Sequence, residues 1–307
     1  MKLEHLSEKF SLIMQFRTIR KALHHHVDVL SNEFGPRNSQ QYAALTRAAT
    51  YIEQEMRRCA PDIIFQNFEF DNKTYSNLTF EKLGKTRSDE IIVIGAHYDT
   101  VVNSPGADDN ASGIAGLLEI CRLLQTYENR RTIRFVAFTL EEPPFFATDH
   151  MGSHIYASAC RQKEENIICM IALEMLGYYS RQKNSQQTPF TTSRKKYPHR
   201  ADFIAVIGNQ ASQQIALQIT HYLQQSPLIK TETYIPASYS AEIELSDHAS
   251  FWKQNYPAVM ITDTAFYRNP NYHEPTDTIA TLNFRYFTRV VFSLSQALIQ
   301  LDQQGLT

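Results

Sequence analysis

The chain has 307 residues, of which 43 % are hydrophobic, enough apolar material to bury a sizeable α/β core without covalent staples. Its 30 basic and 32 acidic residues leave a net charge of −2, which argues against a nucleic-acid or anionic-membrane role, since either normally brings a basic surplus. Four scattered cysteines (Cys59, Cys121, Cys160, Cys169) form no CxxC pair, which argues against a disulfide framework or a Cys-zinc site and for reduced, mostly buried thiols.

The first residues, MKLEHLSEKFSLIMQF, carry acids and no apolar run of signal-peptide length, and no later stretch approaches a membrane span. A cytoplasmic enzyme without membrane or nucleic-acid partners is the expectation. Residues 1–60 read as a helical lead-in. Leu23, Val27 and Leu30 recur at helical spacing, and after a break at Gly35-Pro36 the residues Ala43, Ala44, Ala48, Ile52 and Met56 share one face. Of His24-His25-His26 only one or two can share a helix face, so solvent exposure rather than a metal site is expected there.

Extended segments at 63–70 and 77–83 read as an antiparallel pair. The strand at 91–97 is apolar almost throughout, as in a parallel strand covered by helices on both faces. From there the pattern alternates: helix 111–127, strand 132–140, helix 151–162, strand 166–175, strand 202–208, helix 210–225, helix 246–254, strand 257–262 and a closing helix at 284–302. This implies one domain over 1–307, a doubly wound, mainly parallel mixed α/β sheet with helices on both faces. The polar stretch 180–200 reads as a surface excursion.

In open α/β sheets ligands bind beyond the carboxyl ends of the strands, and metal-competent side chains collect there. Strand 91–97 ends in His97-Tyr98-Asp99 and leads into Pro105-Gly106-Ala107-Asp108-Asp109-Asn110-Ala111-Ser112-Gly113. Strand 132–140 ends in Glu141-Glu142, followed by Pro143-Pro144, which cannot continue a helix. Strand 166–173 ends at Glu174, and the loop after 257–262 carries His273. Carboxylates that end buried strands need compensating charge. Two histidines (His97, His273) and three carboxylates (Asp108, Glu142, Glu174) suit a pair of divalent ions with a position open to water, one carboxylate bridging. Asn110 and Ser112 read as helix-start residues.

The segments HYDTV (97–101), SPGADDNASG (104–113), EE (141–142), LEMLGY (173–178), SDHASF (246–251) and YHEPTDT (272–278) occur in family order. They resemble the di-zinc aminopeptidase family of bacterial leucyl aminopeptidases and aminopeptidase Y, relatives of glutamate carboxypeptidase and the animal glutaminyl cyclases. The resemblance covers residues 20–302, including Gly-Pro-Arg at 35–37, and implies the zinc-exopeptidase (phosphorylase/hydrolase-like) fold and two zinc ions. Residue by residue it makes His97 and His273 terminal ligands and Asp108 the bridging carboxylate. Glu142 and Glu174 become ligands of opposite ions, Glu141 the general base, and Asp99 the partner that fixes the His97 tautomer. It also implies a cis Asp108–Asp109 peptide, and it sets Asp247 and His248 near the site without binding metal.

Three departures stand out. Glu174 occupies a position where many members carry Asp, prolines replace a glycine-rich turn after the Glu pair, and no oxyanion-stabilising tyrosine precedes Ser246. Tyr267 and Tyr272 are the candidates for that role and for substrate binding. Phe251, Trp252, Phe266, Tyr267 and Tyr272 suit either an apolar first-residue pocket or core packing. The implied activity is removal of amino-terminal residues from peptides with a free amino terminus, by zinc-activated water with Glu141 as base. The rivals are a single-zinc glutaminyl cyclase, a carboxypeptidase or dipeptidase anchoring a carboxylate on Arg268, and a non-catalytic binding module.

Overall fold

Strongly apolar, β-branched segments form the sheet centre, and amphipathic segments form the helices that cover it. The structure is a computed structural model and describes residues 2–59, 61–187, 198–238 and 240–305. The polar excursion expected at 180–200 therefore lies partly outside the described residues. The lead-in comprises α1 (Lys2–Val27), a π-helical turn over Asp28–Glu33 and α2 (Tyr42–Arg57). The strands are β1 (Ile64–Phe70), β2 (Lys73–Lys82), β3 (Arg87–His97), β4 (Arg131–Phe138), β5 (Ile167–Glu174), β6 (Phe203–Ile207), β7 (Lys230–Tyr234) and β8 (Ala258–Thr262). Between and after them come α3 (Gly113–Leu123), α4 (Gly152–Gln162), α5 (Gln213–Gln224), α6 (His248–Lys253) and α7 (Phe284–Gln304).

All eight strands form one sheet in the order β1-β2-β4-β3-β5-β8-β6-β7. The pairs β3–β4, β3–β5, β5–β8 and β6–β7 are parallel, whereas β1–β2, β2–β4 and β6–β8 are antiparallel. The sheet is thus mixed, with a parallel centre. Alternate side chains of one strand serve opposite layers. Ile92 and Ile94 of β3 pack with Leu23, Ile52, Ile114 and Val291 from α1, α2, α3 and α7. Val93 of the same strand faces Tyr156, Ala157 and Phe251 from α4 and α6. Both faces are covered, which explains the continuous apolar reading of this strand.

Two expectations change. Residues 230–234 (KTETY) form an unanticipated edge strand, β7, because a short polar segment with one face open carries no run of apolar residues. In the histidine trio His24 and His25 are exposed, but His26 is buried, with Nδ1 2.6 Å from the Tyr51 hydroxyl. Burial, then the charges of His25, Arg58 and Arg122, depress its pKa to about 3. The four cysteines are free, three of them buried. Among the described residues no helix is long and apolar enough to cross a membrane.

Candidate active site

The carboxyl ends of β3, β4 and β5 sit side by side, so the residues that follow them converge. His97, Asp109, Glu141, Glu142 and Glu174 are all buried, while His273, on the loop after β8, is 33 % exposed at its side chain. His97 Nε2 lies 3.4 Å from Asp109 Oδ1, 3.3 Å from Glu174 Oε2 and 3.8 Å from Glu141 Oε2. His273 Nε2 lies 3.2 Å from Asp109 Oδ2 and 3.4 Å from Glu142 Oε2. Asp109 therefore turns one oxygen to each histidine. Two groups with cation-binding spacing result, His97/Asp109/Glu174 and Asp109/Glu142/His273, joined through Asp109, and a third combines His97 with Glu141 and Glu142.

The carboxylate common to both groups is thus Asp109, not Asp108, the residue expected to bridge. Asp108 turns the other way. Its Oδ1 accepts from the Gly177 amide (2.8 Å) and Ser112 Oγ (3.1 Å), and its Oδ2 from Asn269 Nδ2 (2.8 Å). Burial and the neighbouring Asp263 carboxyl raise the Asp108 pKa well above the usual range, so this pair is suited to share a proton within the scaffold. The non-proline cis peptide is correspondingly Asp109–Asn110, not Asp108–Asp109.

Electrostatics give the reason for a cation here. Burial, with Asp109 adding to it, pushes Glu142 up to about 8, and burial raises Glu141 and Glu174 as well. His273 rises to about 10: burial opposes this, but its contacts with Asp109 and Glu142 outweigh it. Four buried carboxylates thus face two imidazoles, and both His97 Nε2 and Glu142 Oε1 lack a hydrogen-bond partner among the described residues. A nitrogen-and-oxygen donor set with orphaned buried atoms fits divalent ions of the zinc type.

The scaffold behind these groups is specific. Asp99 accepts from the amides of Glu141 (Oδ1, 3.0 Å) and Glu142 (Oδ2, 3.0 Å) and stands 3.6 Å from His97 Nδ1. It aims His97 Nε2 and the glutamate pair together. Ser246 Oγ donates to Glu174 Oε2 at 2.7 Å. Asp277 accepts from the amides of Asp108 (3.0 and 3.2 Å) and Asp109 (3.1 Å), anchoring the loop that carries both. Asn110 Oδ1 takes the Gly113 and Met175 amides, so it does serve the start of α3. Asp247 and His248 are buried beside the site, and among the described residues neither joins a group with cation-binding spacing.

The sequence profile of peptidase family M28 matches residues 77–297, more than half of the chain. The chain belongs to peptidase family M28. As an M28 member it is a hydrolase acting on peptide bonds. It is 37 % identical over 273 residues to YfbL of Escherichia coli K12, covering 86 % of this chain and 83 % of that protein. With aminopeptidase YwaD of Bacillus subtilis strain 168 it shares 35 % identity over 109 residues, 35 % of this chain and 23 % of that protein. Its fold matches that of BSAP, a zinc aminopeptidase from Bacillus subtilis, with a TM-score of 0.75 at 17 % identity over 94 % of this chain and 96 % of the other.

In this M28 chain the aromatic cluster divides. Phe251 is core, whereas Phe266, Tyr267 and Tyr272 line a cavity that begins at Glu174. The Tyr272 ring stacks on His273 at 3.8 Å between centroids. Arg268 is 6 % exposed, and its Nε and Nη1 donate to Gln186 Oε1, Thr264 Oγ1 and the Phe203 carbonyl, while Nη2 is buried without a hydrogen-bond partner among the described residues; burial makes it a poor anchor for a substrate carboxylate.

Residues that sequence reasoning passed over act behind the site. Arg37, fully buried, donates to the carbonyls of Tyr98 (2.8 Å), Leu30 (3.2 Å), Gly35 (3.4 Å), Pro105 (2.7 Å) and Gly106 (2.9 Å). It ties the lead-in to the loop that carries Asp109. Asp277 and Ser246 lie inside quoted motifs, but nothing in their spacing states which amide or carboxylate each one holds.

Proposed function

We propose that the chain is a zinc-dependent aminopeptidase that removes single residues from the amino terminus of peptides. One observation carries this reading: a buried carboxylate, Asp109, shared between two donor groups. His97, Asp109 and Glu174 would hold one ion, and Asp109, Glu142 and His273 the other. Ions bound there supply Lewis acidity to a carbonyl and lower the pKa of coordinated water to near neutrality.

The chain's own groups account for the rest. Glu141 belongs to neither Asp109-centred group, and burial raises its proton affinity. Its Oε2 is suited to take a proton from the attacking water and return it to the leaving nitrogen. Asp99 holds the Glu141 and Glu142 amides and keeps His97 Nε2 pointed inward. Surplus carboxylate around the cluster suits the α-ammonium of a free amino terminus, which restricts cleavage to the first residue. Tyr272 and Tyr267 line the adjoining wall and would bind the substrate's first residue.

The test compares wild type with Glu141→Gln, measuring metal by elemental analysis and hydrolysis of amino-acid anilides before and after chelation. Both proteins should hold about two zinc ions, consistent with a two-metal hydrolytic site. The variant should lose about 10²–10⁴-fold in kcat, the usual contribution of a general base. Near wild-type turnover in Glu141→Gln removes the role given to that residue. One ion per chain with cyclisation of amino-terminal glutamine, and no anilide hydrolysis, replaces the reading with a cyclase.

A further inference from the structure

The cavity beside Glu174 runs away from the carboxylate cluster across the sheet, and its floor follows one row of cross-strand partners. Glu174 at the end of β5 pairs with Thr262 on β8, Thr262 with Ala205 on β6, and Ala205 with Glu232 on β7. Directly paired residues project from the same face of a sheet, and all four line the cavity. Three strand spacings separate Glu174 from Glu232, a distance of about 14 Å.

Apart from Thr262 the stretch between them is largely apolar, with Phe203, Ile207 and Met260 beside the row, Ile243 packed against them, and Phe266 also in the lining. Ala205, mid-row, carries the smallest side chain of the four. At the far end Glu232 is half-buried and has no ion pair among the described residues. Lys230, the cation that acts on it, is held by Asp202 at 2.8 Å. Burial raises the Glu232 pKa against the opposing charge of Lys230, the mark of a carboxylate short of solvation. Glu242, exposed, also lines the cavity, where its charge acts on Tyr267.

We propose that this cavity receives the side chain of the substrate's first residue, and that Glu232 selects a long one with a cationic end, lysine or arginine. The inference rests on the aminopeptidase reading above and narrows it. A leucine side chain occupies only the part near Glu174 and leaves the carboxylate end unfilled. A lysine or arginine stem lies along the apolar floor while its charged head reaches Glu232, the division of labour that these side chains favour. An acidic first residue meets Glu174, Glu232 and Glu242 and is repelled.

The test uses the zinc-loaded full chain with the anilides of lysine, arginine, norleucine, leucine and glutamate; norleucine has the reach of lysine without its charge. Lysine and arginine should exceed norleucine in kcat/KM by roughly tenfold, as for a partly desolvated charge pair. Glu232→Gln should bring the lysine-to-norleucine ratio close to one, Glu242→Gln should lower it less, and Glu232→Lys should favour glutamate over lysine. Calorimetric binding of lysinamide and norleucinamide to Glu141→Gln should show the same order, and the order should vanish when Glu232→Gln is added. Equal rates for lysine and norleucine, or a ratio that Glu232→Gln does not move, overturn the inference and leave the aminopeptidase standing. Hydrolysis of none of the anilides overturns the aminopeptidase itself, and the inference falls with it.

Discussion

Adjacent aspartates with opposite tasks set the residue-scale problem. Asp108 and Asp109 have the same side chain and share one loop, and the backbone alone decides which faces the histidines. Inside the turn Asp109 has φ −102° and ψ 91°, a non-helical conformation that points its two oxygens at His97 and His273 while Asp108 turns to Gly177, Ser112 and Asn269. The two substitutions should therefore separate. Asp109→Asn should lower the zinc content of the dialysed protein below two per chain, because both donor groups lose their shared charge. Asp108→Asn should keep both ions, with affinity reduced by about tenfold, the lower end of the range for a group that supports ligands without binding metal. Elemental analysis and a competitive chelator titration check this, and the opposite ranking would return the bridge to Asp108.

Among the elements, what could be read in advance follows burial. Strands β3, β5 and β8 are buried along their central residues, so their apolar runs announce them, and the residues that end or follow them mark the catalytic edge of the sheet. Strand β7 lacks that signature because it is an edge. The gathering of His97, Glu141, Glu142, Glu174 and His273 is legible because chain order and residue type suffice, whereas choosing between Asp108 and Asp109 needs φ and ψ. Arg37 was legible only as part of a Gly-Pro-Arg string; that its guanidinium reaches five carbonyls from three segments is a tertiary fact. Replacing it tests whether the lead-in is part of the active-site scaffold. Arg37→Met leaves those buried carbonyls without donors and should cost about 3 kcal/mol or more in unfolding free energy. Arg37→Lys restores the charge without the planar fork and should recover only part of the loss. Chemical denaturation measures both, and a near-neutral Arg37→Met would show that the lead-in is only laid against the site.

At the scale of the whole molecule, the lead-in also shapes how stability depends on pH. His26 sits between α1 and α2 with a folded pKa depressed to about 3 from 6.5. Between those values the unfolded chain binds a proton at this position and the folded chain does not. The difference in bound protons makes stability rise with pH over that window and fall as the solution is acidified below 6.5. Each pH unit corresponds to about 1.4 kcal/mol for a single group. Carboxylates with raised pKa values, such as Glu142 at about 8, work with the opposite sign, since their proton is bound more tightly in the folded chain and their contribution is lost as pH rises from 4.5. Zinc bound at the cluster would remove most of that opposing contribution, which is why the comparison belongs on the metal-loaded protein. The free energy of unfolding of wild type should therefore fall more steeply between pH 6 and pH 5 than that of His26→Gln, which has no imidazole to protonate on unfolding. Parallel slopes for the two proteins would mean that His26 is solvated in the folded chain, and that the contact between α1 and α2 opens at this point.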